Sequence, residues 1–158
     1  MTQILPDRFE DGPARLMGGV RQHHSFATAA RDIPGQWMQL HAMGLLPGPV
    51  EDVCYGIVCQ SDPVNGTFEY MAASEVPSFD GVPEGGRLRL PAAHYAVFVH
   101  PGDTSTLPET FSAIWEWLPG SGWRPAPTPN FERYGPGYDP VARSGDIEIW
   151  FAVAPAQG

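Results

Sequence analysis

Eighteen prolines and eighteen glycines punctuate the chain. Proline breaks helix interiors and central strands and glycine weakens both, so the sequence is cut into short elements. These residues fall mainly in the connections, and no stretch is long enough to serve as a linker to a second domain. The 158 residues are therefore expected to form one domain, 1–158, with 1–13 a flexible N-terminal segment. A domain of that size buries roughly 70% of the surface its unfolded chain exposes.

Between the breakers the hydrophobic period changes in a repeated order. Residues 14–20 read as a strand, and Phe26, Ala30, Ile33, Trp37 and Leu40 then recur at helical spacing behind a cap at Ser25. Pro34 should kink that helix or shift its boundary. Residues 53–59 and 67–73 read as strands joined through Asp62-Pro63 and the Asn65-Gly66 turn signal. A short strand at 87–90 precedes a longer apolar one at 95–100 that needs burial on both faces.

The second helix opens at Thr106-Leu107-Pro108-Glu109, where Thr and Glu three residues apart form a capping-box signal. Its expected buried stripe is Leu107, Phe111, Ile114, Trp115 and Leu118, and Pro119-Gly120 stops it. Strands at 130–134 and 146–153 follow, separated by the Gly/Pro-rich loop that begins at Gly135. The order is strand, helix, strand, strand, used twice. The predicted fold is α+β: duplicated βαββ units forming one antiparallel sheet with both helices on one face.

Nine Lys and Arg against 18 Asp and Glu leave a net charge of −9, which repels a phosphate backbone and argues against direct nucleic-acid binding. The same field favours cationic small molecules. No signal-peptide pattern is present and no apolar run approaches the ~20 residues of a membrane span, so neither membrane binding nor secretion is expected and a cytoplasmic location is. Cys54 and Cys59 lie in a strand-like run with side chains on opposite faces, so a disulfide between them is not expected. The five histidines show no metal-ligand spacing, and GxSxG, P-loop and GxGxxG motifs are missing. No metal or cofactor is expected.

Several segments are recognisable in order: Tyr55-Gly56, Asp62-Pro63, Phe68-Glu69-Tyr70-Met71-Ala72, and Pro91-Ala92-Ala93-His94-Tyr95-Ala96-Val97-Phe98. They continue with Ile114-Trp115, the run from Trp117 to Trp123, Pro129-Asn130-Phe131-Glu132-Arg133-Tyr134, and the run from Asp146 to Val153. From about residue 14 to the end, the set resembles the gyrase-inhibitor-like (GyrI-like) effector-binding family, which also supplies the ligand-binding half of AraC-type and MerR-type multidrug regulators. The resemblance implies a ligand cleft between the two βαββ halves. Because the first family strand begins within the first twenty residues, a stand-alone ligand domain without a DNA reader is expected.

The resemblance also places Glu132 at the position of the acidic residue that family members carry in the pocket. A carboxylate among aromatic rings neutralises a lipophilic cation or, with its pKa raised by desolvation, acts as a general base. Tyr134, two residues on, shares its face. Aromatic residues make up 11% of the chain. Trp37, Tyr55, Tyr95, Trp115, Trp123 and Trp150 are candidate pocket linings, with Met71 and Phe98 as adaptable apolar contacts. Each also has an ordinary role in core packing, Trp115 on the second helix above all. Glu69, Glu75 and Glu148 alternate with apolar neighbours, as water-facing strand carboxylates do, and one of them is a candidate second acid beside Glu132.

Three functions follow. The first is a small-molecule, multidrug or natural-product binding protein that sequesters an apolar, planar or cationic ligand or reports it to a protein partner. The second is a cofactor-free hydrolase of cyclopropanoid-type electrophiles, with Glu132 and Tyr134 catalytic. The third is a gyrase inhibitor, for which the chain lacks a concentrated acidic stripe.

Overall fold

The computed structural model describes residues 4–42 and 53–157. In chain order the first elements are β1 (Arg8–Gly12), β2 (Arg15–Ser25), α1 (Ala29–Ala42), β3 (Cys54–Asp62), β4 (Thr67–Val76) and β5 (Arg87–Leu90). They are followed by β6 (Ala93–Val99), α2 (Leu107–Trp117), β7 (Trp123–Pro125), β8 (Asn130–Tyr134) and β9 (Ile147–Pro155). The contacts divide the chain into two compact units, Ala14–Pro91 and the remainder.

In the Ala14–Pro91 unit the strands lie in the order β3-β4-β2-β5, all antiparallel. Gly66, at φ +67°, makes the hairpin turn between β3 and β4 that Asn65-Gly66 predicts. α1 covers the face that carries Tyr70. It is anchored there by Gln36, whose buried amide donates to Val20 O (2.7 Å) and Tyr70 O (2.8 Å) and accepts from His24 Nε2 (2.6 Å). Pro34 lies inside α1 and does not end it. The helix starts at Ala29, three residues later than the Phe26 stripe implies, and Phe26 is exposed and stacked on Phe68 instead.

The other unit orders its strands β1-β6-β9-β8, with β7 adding to β9. The segment expected to be flexible therefore contributes an edge strand, β1, paired residue by residue with β6 from Arg8↔Val97 to Gly12↔Ala93. Both units repeat one plan: strand, helix, strand, strand, with the last strand between the other two. The α+β class and the duplicated βαββ order hold.

α2 departs from its sequence reading in two respects. Thr106 makes no side-chain cap to the helix; its hydroxyl donates to Asp103 O (3.1 Å) and lies 3.2 Å from His100 Nε2. The buried residues are Leu107, Thr110, Ile114 and Trp117, while Trp115 is 53% exposed. The helix is turned because buried His100 takes the Thr110 hydroxyl at 2.8 Å on Nδ1, and Trp117 packs edge-on against Phe98. A polar demand inside the core outranks the apolar stripe.

Candidate functional site

The register of β8 on β9 decides what its residues can do together. Phe131 faces Trp150, Glu132 faces Ile149, Arg133 faces Glu148 and Tyr134 faces Ile147. Ladder partners share a sheet face and neighbours along a strand alternate. Glu132 and Tyr134 therefore occupy one face with Ile147 and Ile149, and Phe131, Arg133, Glu148 and Trp150 occupy the other.

The first face is the one α2 covers, since Phe98 and Phe151 on it meet Trp117 and Trp115 at 5.3 and 5.2 Å between ring centroids. Glu132 is buried there, 7% exposed, beside fully buried Ile149. The Tyr134 phenol donates to Glu132 Oε1 at 2.6 Å. The Tyr134 ring also packs edge-to-face with Tyr138, centroids 4.9 Å apart, so the carboxylate, the phenol and a second phenol follow one another in contact. Burying a carboxylate among isoleucines is costly without such donors.

The second face is an aromatic core with an ionic rim. Tyr95, Phe131 and Trp150 form a triangle of rings with centroids 5.3 to 5.5 Å apart. Glu148 accepts from Trp150 Nε1 at 3.0 Å and from Arg8 Nη1 at 2.9 Å, and Arg133 Nη1 lies 3.7 Å away. Arg8 also sits over the Trp150 ring at 5.8 Å. Burial is the largest influence on the Glu148 carboxyl and opposes its charge, yet the Arg8 and Trp150 hydrogen bonds and the charges of Arg8 and Arg133 hold it below the usual carboxylate range.

Within the unit that holds β6, β8 and β9, the predicted site residues thus fall on two sheet faces. Glu132 and Tyr134 are together; Tyr95 and Trp150 are together on the opposite face. Phe98 and Trp115 belong to the face of Glu132, Phe98 fully buried and Trp115 half-exposed. Trp123, on β7, stacks with Phe9 and His94 at 5.1 and 5.2 Å. In the Ala14–Pro91 unit, Trp37 meets the edge of Tyr70 at 6.5 Å on the α1 side. Tyr55 and Met71 are buried on the other face of that sheet, with Arg15 over the Tyr55 ring at 5.9 Å.

Glu148 is neither water-facing nor a partner of Glu132: it directly opposes Arg133, one residue out of phase with the Glu132 face. Glu69 is paired as well, accepting from Arg21 Nη2 at 2.6 Å. Sequence reasoning missed Arg8 and Tyr138. Tyr138 carried a usable signal, a single aromatic ring in a Gly/Pro loop four residues beyond Tyr134. No disulfide joins the cysteines, and burial pushes the Cys59 thiol up to about 12. Among the described residues no group of three or more His, Cys, Asp and Glu is placed to hold a metal ion, and no helix is long and apolar enough to cross a membrane.

A family model described as a GyrI-like small molecule binding domain matches residues 8–154. The transcriptional regulator BrlR of Pseudomonas aeruginosa is 35% identical over 105 residues, an alignment covering 65% of this chain and 38% of the regulator. The match thus spans well under half of that relative. Among solved structures, SAV2435 bound to tetraphenylphosphonium matches with a TM-score of 0.72 at 17% identity, covering 93% of each chain. A Staphylococcus aureus protein described as a bacterial transcription regulation protein matches at 0.68 and 18% identity, over 92% of this chain and 96% of that one. EcmrR, in a complex with DNA, matches at 0.67 and 17% identity, over 94% of this chain and 57% of its own. At these identities the structural likeness establishes the fold.

Proposed function

Because the chain belongs to the GyrI-like family of small-molecule-binding domains, we propose that it captures an apolar, aromatic cation on the α2-covered face of its β6–β9–β8 sheet, with Glu132 as counter-charge. The observation that carries this reading is the burial of Glu132 beside Ile149 with the Tyr134 phenol on its Oε1. A carboxylate kept in such surroundings costs stability unless charge or hydrogen bonds compensate it. A lipophilic cation supplies the charge, and its own burial is made affordable by the carboxylate.

Three further facts support the reading. Tetraphenylphosphonium, the ligand in the SAV2435 complex, is a cation of this kind. The net charge of −9 raises the local concentration of cations. Trp115, half-exposed above Phe151, offers an adaptable aromatic surface on the same side of the sheet. Such a surface tolerates many ligand shapes, which favours multidrug binding, and the similarity to a transcriptional regulator supports a cytoplasmic setting.

The test is tryptophan-fluorescence titration with tetraphenylphosphonium and with neutral triphenylphosphine oxide. Wild type should show saturable quenching by the cation, and Glu132→Gln should weaken that binding about tenfold or more while changing the neutral compound little. Equal affinities in wild type and variant would remove Glu132 from the site. Mass spectrometry of wild type mixed with cyclopropane-bearing electrophiles separates binding from hydrolysis: addition of water by wild type, lost in Glu132→Gln, would make the protein a hydrolase.

A further inference from the structure

The loop joining β8 to β9, residues 135–146, is tied down along its length. Gly135 N–H donates to Asp146 O (2.9 Å) and Gly137 N–H to Asp146 Oδ2 (3.0 Å). Asp139 and Ser144 exchange both backbone hydrogen bonds, at 2.9 and 3.3 Å, and Asp139 Oδ1 accepts from Val141 N–H at 2.9 Å. Thr104 N–H binds Arg143 O at 3.0 Å. Arg143 and Asp146 hold φ at 56° and 53°, a left-handed conformation that non-glycine residues keep only where the surroundings enforce it. A Cβ at Gly135 would come within 2.1 Å of Asp146 Oδ2, so a side chain there would displace the carboxylate that accepts from Gly137 N–H.

One side chain of this fixed loop turns back toward the site. Tyr138 N–H donates to Gly135 O at 3.0 Å, closing a turn that sets the Tyr138 ring edge-on to Tyr134 at 66°. Tyr138 is half-buried while Gly137 and Asp139 beside it are exposed. Its ring is thus held at the outer end of the chain Glu132–Tyr134–Tyr138 by backbone hydrogen bonds. A ring positioned before binding costs little ordering when a ligand meets it.

We propose that Tyr138 is the specificity-determining wall of the Glu132 site, selecting cations that carry aromatic rings over cations that do not. The proposal rests on the reading of Glu132 as counter-charge. A carboxylate attracts any apolar monocation through its charge alone. Discrimination between aromatic and alkyl cations needs a π face or edge near that charge, and Tyr138 is the ring the loop holds next to Tyr134.

Calorimetric titration of the full chain with tetraphenylphosphonium and tetrabutylphosphonium, equal in charge, tests it. Tyr138→Leu keeps apolar bulk without a π system: it should weaken tetraphenylphosphonium binding about tenfold and tetrabutylphosphonium binding less than about twofold, while Tyr138→Phe retains both. Tyr138→Trp should raise the preference for the aromatic cation above that of wild type, a second reading independent of whether the leucine variant folds. Equal losses for both cations in Tyr138→Leu, or an unchanged preference in Tyr138→Trp, overturns the proposal while leaving Glu132 in place. A wild-type protein that binds neither cation overturns the Glu132 reading, and Tyr138 falls with it.

Discussion

Tyr134 donates its phenolic proton to Glu132 Oε1 at 2.6 Å, from a position two residues along the same strand. The strand pleat alone brings the two side chains to one face, so the pairing does not depend on a loop or a second element. Tyr134→Phe keeps the ring against Tyr138 and removes only the donor. Its stability should fall by about 1–3 kcal/mol, the cost of leaving a buried polar group without its hydrogen-bond partner. Urea denaturation of Tyr134→Phe, Glu132→Gln and the double variant should show non-additive losses, because each single change breaks the same bond.

Gln36 joins α1 to two strands through one side chain. Gln36→Leu should destabilise the protein by about 2–4 kcal/mol, since Val20 O, Tyr70 O and His24 Nε2 all lose a buried partner at once. Far-UV circular dichroism during thermal unfolding measures the loss. A change below about 0.5 kcal/mol would mean that α1 is held by apolar contacts alone.

Glu148 contributes to the acid stability of the β6–β9–β8 sheet. Its folded pKa is lowered from the ordinary value, so its contribution is fully present above the usual Glu range and is lost as pH falls through the lower folded value. Glu148→Gln should cost about 1–3 kcal/mol at neutral pH. It should also flatten the decline of stability below about pH 4.3. Denaturant midpoints measured from pH 7 to pH 2 show both effects.

Trp115 and Trp117, on the same helix, should respond differently to truncation. Trp117→Ala empties a buried site against Phe98 and is expected to cost about 3–5 kcal/mol. Trp115→Ala removes a half-exposed ring and should cost about 1 kcal/mol. The same variant should reduce fluorescence quenching by tetraphenylphosphonium, because its ring faces solvent on the Glu132 side.

Most of the fold was legible because its signals are local. Strand period, turn residues such as Asn65-Gly66 and the repeated order of elements each act within a few residues, and all survive in the structure. Three features were not legible, each for a long-range reason. β1 is a strand because β6 offers it a partner more than eighty residues away. α2 is rotated because His100, outside the helix, needs the Thr110 hydroxyl. Trp150 and Tyr95 are separated from Glu132 by the register of β9, which no count along β8 reveals. Glu132 and Tyr134 were within reach of sequence reasoning because their spacing of two is itself the geometry.

The alternation in β8 divides the strand's capacity for change. Residues 131 and 133 answer to the Tyr95–Trp150 core and the Glu148 ion cluster, and residues 132 and 134 to the α2 side. Point substitutions can therefore retune one surface during divergence without disturbing the other. A one-residue insertion or deletion within 130–134 would exchange the two sets, placing a carboxylate in the aromatic triangle and a phenylalanine where Tyr134 now finds its acceptor. Variants of this protein should accumulate length changes around β8 and almost none inside it.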